Sequence, residues 1–202
     1  LIGASIYLSD GAPNRFGAPA RTHIDASTSF YYDQSRCSAS TDGPLQGVSV
    51  CTVGPVGKPE VLFWGDSHLR AMMGGVERAA QEAKTAGLLI WHAGCPPLFG
   101  VSKQERAATA AQDAKCQADT AKLHEALPEL KDIRRIALVG RWTYYASGTG
   151  TGLDAHNRIK LSPVTGQQKL EGNQQELYGA AWALTAQVLS KHFDEIFVFR
   201  QV

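Results

Sequence analysis

The tetrapeptide Gly65-Asp66-Ser67-His68 places a serine between a carboxylate and an imidazole. It follows a short apolar run, Val61 to Trp64, and precedes apolar residues at helical spacing up to about Lys84. A serine at a strand-to-helix turn stands at the carboxyl end of a sheet, where the first helical N–H groups stabilise developing negative charge. This placement is typical of a nucleophile. The alternative is that Asp66 or Ser67 only caps the helix, since both residue types are preferred N-caps.

Strand-like and helical segments alternate along the rest of the chain. Apolar runs predict further strands over 88–91, 133–139 and 196–199, and helical spacing predicts helices over 103–127 and 175–192. This alternation predicts an α/β fold with a mostly parallel, doubly wound sheet. Because parallel strands end at one edge of such a sheet, the turns after residues 91 and 139 should lie beside Ser67.

Both of these turns contain residues that suit a binding site. Gly94 would let a backbone N–H approach a ligand closely, although Pro96 and Pro97 make an ordinary strand-ending turn the alternative. Arg141 and Trp142 follow the third strand and are candidates to line the site, with core packing as the alternative for the tryptophan. The sequence therefore predicts a site built from Ser67 and these strand ends.

Composition and spacing argue against several classes of function. The 202 residues carry 20 Lys+Arg against 19 Asp+Glu, and this formal charge of +1 does not indicate nucleic acid as a partner. The apolar runs are too short to span a bilayer, and the glycines of 148–152, in a predicted surface loop over 146–173, lack dinucleotide-loop spacing. Zinc-finger and zinc-protease spacings are also absent, so we expect no metal and no bound cofactor.

Residues 9–58 differ in composition from the rest, being rich in Gly, Pro, Ser, Thr and Asp. We therefore predict a loop-rich linking extension over 1–58, packed on a catalytic domain over 59–202. The chain begins at Leu1 without a Met or a basic leader, so we expect it to be a piece of a longer protein.

Four cysteines lie at 37, 51, 95 and 116. In an oxidising compartment they would pair most economically as Cys37–Cys51 and Cys95–Cys116, the pairs that close the shortest loops. Four reduced, buried thiols in a cytosolic protein are the alternative.

The order of these segments resembles the SGNH (GDSL-like) esterase superfamily, whose first block is a Gly-Asp-Ser turn after a buried strand. Phe63-Trp64-Gly65-Asp66-Ser67-His68, Gly94-Cys95-Pro96-Pro97-Leu98 and Gly140-Arg141-Trp142 are more specifically similar to SGNH domains fused to membrane acyltransferases of family 3. The resemblance covers about residues 59–202 and implies the SGNH hydrolase fold, a flavodoxin-like three-layer α/β/α sandwich. It also implies a bacterial periplasmic domain, tethered to the inner membrane, that helps to O-acetylate cell-surface carbohydrates such as the lipopolysaccharide O-antigen.

The resemblance also implies a role for each candidate residue. Ser67 would be the nucleophile that accepts the acyl group, and its own N–H would be one oxyanion donor. Gly94 matches the glycine of the second block and would be another donor. Trp142 stands where the superfamily usually has an asparagine as third donor. Either its indole N–H replaces that donor, or Arg141 contributes, or the oxyanion hole has two donors. The residues expected to line the site are Asp66, His68 and Arg141.

The catalytic base is the main departure from the superfamily, which takes its His and Asp from a D-x-x-H block near the carboxyl terminus. That spacing is absent there, and Asp154 and His156 are one residue too close. His68 adjoins the serine and is expected to line the site or cap the helix. We therefore expect the base and its Asp to lie beyond Val202, and the domain of 59–202 to lack its C-terminal block.

These features together predict transfer of an acyl group to hydroxyls of a cell-surface carbohydrate through an acyl-Ser67 ester. The acyl donor is not identified by the sequence; an acetyl group passed from a membrane acyltransferase domain of the same polypeptide is the simplest source. A secreted SGNH carbohydrate esterase or deacetylase, with water as the acceptor, is the first alternative. A non-catalytic carbohydrate-binding module is the second.

Overall fold

A computed structural model describes residues 2–8, 11, 15–28, 34–164 and 170–200 of the chain. The chain divides into two compact units, Leu1–Gln34 and Ser35–Val202. The first unit contains the helices α1 (Ile2–Leu8) and α2 (Ala18–Thr28), in a stretch that the composition had predicted to be loop-rich. Within the described part of the chain, no helix combines the length and the apolar character that crossing a bilayer requires.

The second unit alternates strands with helices and contains every predicted site residue. Its described elements run in the order β1 (Cys37–Ala39), β2 (Ser49–Val53), β3 (Val61–Gly65), α3 (Ser67–Glu82), β4 (Gly87–Trp91), β5 (Val101–Glu105), α4 (Ala110–Ala126), β6 (Arg135–Val139), α5 (Trp142–Ser147), β7 (Ile159–Pro163), α6 (Gln174–Leu189) and β8 (Glu195–Val198). Short 3₁₀ turns follow α4 at Leu127–Glu129 and α5 at Gly152–Asp154. This order confirms the predicted α/β class.

The main sheet has the strand order β1-β2-β4-β3-β6-β8. Strands β4, β3, β6 and β8 are parallel, and β2 and β1 extend the sheet by antiparallel pairing. In chain order the parallel strands follow 2-1-3-4, as in flavodoxin-like doubly wound sheets. Their switch point lies between β3 and β6, which pair from Val61↔Arg135 to Gly65↔Val139. The turns that follow these two strands therefore meet at the edge where such sheets bind ligands.

Helices flank both faces of this sheet, and alternate residues of β3 face the two layers. Val61 and Phe63 lie beside α3, whereas Leu62 and Trp64 join a buried cluster with residues of α4 and α6. Helix α3 presents a buried stripe with helical spacing, consisting of Leu69, Met73, Val76 and Ala80. This arrangement confirms the predicted three-layer α/β/α sandwich.

The predicted boundary between residues 58 and 59 differs from the division in the structure, which falls after Gln34. Strand β2 pairs with β4 through Cys51↔Leu89 and its neighbours, and β1 pairs with β2, so residues 35–58 contribute two strands to the main sheet. These strands are short and lie among glycines and prolines, so their apolar pattern is weak.

A separate antiparallel hairpin of β5 and β7 pairs Val101↔Pro163 through Glu105↔Ile159. The helix predicted over 103–127 is wrong at its start, because α4 begins only at Ala110, with Thr109 as the N-cap of a capping box. The surface loop predicted over 146–173 is wrong at β7, and residues 165–169 of that prediction lie outside the described residues. This hairpin brings an unpredicted residue, Glu105, to the candidate site.

Candidate active site

Ser67 is the first residue of α3, and only Asp66 separates it from the buried end of β3. It lines a cavity of about 220 Å³ at the carboxyl edge of the parallel strands. The side chains and backbone groups around this cavity come from four segments of the chain and include Asp66, Ser67, Gly94, Glu105, Arg141 and Tyr144. The fold therefore brings together the predicted nucleophile, the predicted glycine donor and Arg141.

Asp66 is 1 % exposed and receives four hydrogen bonds. Its Oδ1 accepts the backbone N–H of His68 at 2.7 Å, which makes Asp66 the N-cap of α3. Its Oδ2 accepts the backbone N–H of Arg141 at 2.8 Å and the hydroxyl of Tyr145 at 2.5 Å. The capping alternative is thus correct for Asp66, which also ties the turn after β3 to the turn after β6.

The side chain of His68 lies on Asp66, with Nδ1 at 3.1 Å from Oδ1, and is 44 % exposed. This hydrogen bond and the carboxylate charge raise the pKa of His68 above its ordinary value, and partial burial opposes them. Among the described residues, no imidazole forms a hydrogen bond with Ser67. The source of the catalytic base therefore stays a prediction.

Gly94 lies in the turn after β4 with φ of +64°, a backbone conformation that residues other than glycine rarely adopt. A Cβ atom at this position would also collide with the carboxylate of Glu105. The sequence thus needs glycine here for two independent reasons. The next residue, Cys95, is joined by a disulfide to Cys116 of α4, which fixes the turn to the helix.

The N–H groups of Ser67 and Gly94 are available for a ligand. Both residues line the cavity, and within the described residues neither N–H donates a hydrogen bond to another protein atom. The N–H of Arg141, by contrast, is already donated to Asp66. Two unpaired donors and a serine hydroxyl at one cavity form the arrangement that acyl transfer requires.

A family model described as "SGNH domain (fused to AT3 domains)", where AT3 is acyltransferase 3, matches residues 36–202. The chain belongs to this SGNH family. The match begins just before β1, so it includes the two antiparallel strands that precede residue 59. Neither the curated proteins nor the solved structures contain a significant match to the chain. Membership supports a serine esterase or acyltransferase activity for this SGNH domain.

Trp142 does not contribute its indole N–H to the cavity of the SGNH domain. The indole Nε1 donates to the carbonyl of Phe199 at 2.7 Å, and the ring packs 4.9 Å from the ring of Trp182. The expectation that this N–H replaces the third oxyanion donor therefore has no support in the geometry. The packing alternative describes Trp142 better, because its N–H is already donated to the backbone that follows β8 and its ring packs on Trp182.

Arg141 lines the cavity with a side chain that is 19 % exposed. Its Nη2 lies 2.9 Å from Oδ2 of Asp154, and its guanidinium lies 4.4 Å from the centre of the Tyr144 ring. These contacts fix a positive charge at the cavity. Arg141 therefore lines the cavity, and whether it contributes to the oxyanion hole or the hole has two donors stays a prediction.

Both predicted disulfides form, Cys37–Cys51 and Cys95–Cys116, and no free cysteine is found in the described residues. The first joins directly paired residues of β1 and β2. The second includes Cys95, the neighbour of Gly94, and so holds part of the cavity wall.

Three residues of the site escaped the sequence-based prediction as site residues: Glu105, Tyr144 and Tyr145. The two tyrosines follow the same strand end as Arg141, so their position along the chain was a usable signal. Glu105 gave no such signal, because it lay in a stretch that resembled a polar helix.

Proposed function

We propose that this SGNH domain transfers an acyl group, acetyl in the simplest case, to hydroxyls of a bacterial cell-surface carbohydrate through an ester on Ser67. The observation that carries the proposal is the pair of unpaired N–H donors, on Ser67 and Gly94, at the cavity that Ser67 lines. The family description, which links such domains to AT3 domains, favours transfer as part of a membrane acyltransferase over free hydrolysis.

In the first step Oγ of Ser67 attacks the carbonyl carbon of the acyl donor. The carbonyl oxygen becomes negative, and the N–H groups of Ser67 and Gly94 stabilise it together with the positive end of the helix α3 dipole. The Ser67 proton passes to a base, and the leaving group of the donor departs. Removing one such donor typically lowers the rate by about 10²–10³-fold.

In the second step a hydroxyl of the acceptor attacks the acyl-Ser67 ester. The acceptor oxygen forms a bond to the acyl carbon, and the bond from that carbon to Oγ of Ser67 breaks. The hydroxyl proton returns to Oγ through the same base, so no oxidant, reductant or metal is needed for balance. Arg141 would add positive charge beside the oxyanion in both steps.

An oxidising compartment suits this proposal. The Cys95–Cys116 disulfide, buried at both ends, holds the turn that carries Gly94. Disulfides of this structural type persist in the periplasm and rarely in the cytosol. The disulfide therefore supports a location on the periplasmic side of the inner membrane, where the domain would meet its carbohydrate acceptor.

The test uses the full-length protein in its own membrane, with Ser67→Ala compared against Ser190→Ala, a serine at the exposed end of α6. O-acylation of the surface carbohydrate is measured by NMR, and the acyl-Ser67 ester by mass spectrometry of the peptide. We expect Ser67→Ala to reduce transfer by about 10³-fold or more and to abolish the acylated peptide, while Ser190→Ala has no effect.

Other outcomes separate the alternative functions. If the Ser67→Ala variant transferred the acyl group at the wild-type rate, Ser67 would not be the nucleophile. The interpretation of the domain as a carbohydrate-binding module would then be supported. Release of the acyl group to water, with acceptor and membrane present, would identify a carbohydrate esterase.

A further inference from the structure

The carboxylate of Glu105 lies in the same cavity as Ser67, although β5 belongs to a hairpin outside the main sheet. Its side chain is 11 % exposed. It occupies the space that a side chain at position 94 would fill, so it lies directly beside the Gly94 backbone. Any group that binds Glu105 is therefore held next to the proposed oxyanion site.

A buried lysine balances the charge of this carboxylate. Nζ of Lys103 lies 3.1 Å from Oε2 of Glu105 and 2.7 Å from Oδ1 of Asp113, and the lysine side chain is wholly buried. A buried ammonium group is stable only when anions compensate it. In the reverse direction, Lys103 offsets the repulsion that Glu105 alone would exert on an oxyanion at Gly94.

Glu105 retains hydrogen-bonding capacity that Asp66 lacks. A carboxylate can accept about four hydrogen bonds. The Asp66 side chain accepts four hydrogen bonds. Among the described residues, the Glu105 side chain accepts only two, one from Lys103 at 3.1 Å and one from the Tyr144 hydroxyl at 3.1 Å. Burial and the charge of Glu105 raise the pKa of Tyr144, so that its hydroxyl stays a donor. The remaining lone pairs of Glu105 suit a ligand rich in hydroxyl donors.

We propose that Glu105 binds the acyl acceptor, accepting hydrogen bonds from hydroxyls of a sugar so that a neighbouring hydroxyl faces the acyl-Ser67 ester. This inference rests on the function proposed above and assigns the acceptor subsite to the side of the cavity formed by the β5–β7 hairpin. Glu105 neither forms nor breaks a bond in the transfer step. It selects a polyhydroxylated acceptor over water.

The experiment measures acyl transfer by the full-length protein as a function of acceptor concentration, for wild type, Glu105→Gln and the control Glu125→Gln, an exposed glutamate on α4. Losing hydrogen bonds to a charged group should raise the KM for the sugar acceptor by about tenfold or more. We expect the rate of Ser67 acylation to change by a smaller factor. A larger share of the acyl groups should be lost to water, because the acceptor binds more weakly. Glu125→Gln should match wild type.

The triple variant Lys103→Met/Glu105→Gln/Asp113→Asn removes the buried cation together with both of its anionic partners, so it keeps the test valid if Glu105→Gln alone fails to fold. A raised acceptor KM in the folded triple variant supports the inference. Suppose that Ser67→Ala abolishes transfer but the Glu105 variants keep the wild-type acceptor KM and the wild-type ratio of transfer to hydrolysis. That result would overturn the role of Glu105 and leave the proposed function standing. If Ser67→Ala also transferred normally, the proposed function itself would fail, so the two failures are distinguishable.

Discussion

The hydroxyl of Tyr145 donates a hydrogen bond of 2.5 Å to Oδ2 of Asp66, and both side chains are buried. Burial and the negative charge of Asp66 raise the pKa of Tyr145, so the phenol remains a neutral donor at ordinary pH. Asp66 in turn caps α3 immediately before Ser67. The position of the proposed nucleophile therefore depends on a hydrogen bond from α5, the helix that follows β6.

Tyr145→Phe should lower the free energy of unfolding by about 2 kcal/mol, because a buried carboxylate loses one of its donors. The measurement is equilibrium unfolding in denaturant. Tyr7→Phe is the control, since Tyr7 is 83 % exposed and should change stability by less than about 0.5 kcal/mol. Equal stability of Tyr145→Phe and wild type would show that the Asp66 carboxylate does not depend on this donor.

Gly94→Ala should impair both folding and transfer, because the added Cβ meets the Glu105 carboxylate at a backbone conformation that favours glycine. We expect transfer to fall by about 10²-fold or more, as for loss of an oxyanion donor. Gly74→Ala is the matched control, since Gly74 lies inside α3 with open space around it. This variant should raise the free energy of unfolding by about 0.5–1 kcal/mol. Wild-type transfer by a folded Gly94→Ala variant would remove Gly94 from the oxyanion hole.

The sequence predicted the framework of the site because its strongest patterns are local. The apolar run that ends at Gly65 and the helical stripe after Ser67 both depend on residues within one turn or strand. The convergence of Gly94 and Arg141 on Ser67 followed from the topology of parallel sheets. The loop-closure argument for cysteines also succeeded, since both disulfides join near neighbours along the chain.

The remaining features depend on contacts between distant segments. Lys103 is a cation at a buried strand position, and its polar neighbours made β5 resemble part of a helix. Strand β5 forms only by pairing with β7, which lies more than fifty residues later. The direction of the Trp142 indole is likewise determined by the carbonyl of Phe199, at a sequence separation of 57. Local periodicity contains no information about such partners.

The contribution of His68 to stability should depend on pH. The hydrogen bond with Asp66 raises its pKa in the folded state, so the folded protein binds this proton more tightly than the unfolded chain. The stabilisation is therefore fully present below about pH 6.5 and is lost as the pH rises through the raised pKa. His68→Gln should reduce the free energy of unfolding more at about pH 5 than at about pH 9. If the difference in unfolding free energy between wild type and His68→Gln were constant with pH, or larger at alkaline pH, the hydrogen bond between His68 and Asp66 would not be the source of the stabilisation.

The two disulfides should differ in their effect on transfer. Replacing either pair by serines removes a crosslink over a separation of 14 or 21 residues and should lower stability by up to about 3 kcal/mol. Loss of Cys95–Cys116 should also reduce transfer, because Cys95 adjoins Gly94, whereas loss of Cys37–Cys51 should leave the transfer rate of the folded protein unchanged. Transfer and unfolding are measured on both variants. Equal effects on transfer would mean that the Cys95–Cys116 disulfide does not position the Gly94 turn.

Trp142→Phe tests whether the indole N–H acts in catalysis or in packing. In the structure this N–H donates to the Phe199 carbonyl at 2.7 Å, so its removal should lower the free energy of unfolding by about 1 kcal/mol. The rate of acyl transfer should stay within about twofold of wild type, because the oxyanion donors on Ser67 and Gly94 are untouched. Trp182→Phe, which alters the neighbouring ring 4.9 Å away, is the packing control. A loss of transfer of about 10²-fold in Trp142→Phe, with stability unchanged, would restore Trp142 as the third oxyanion donor.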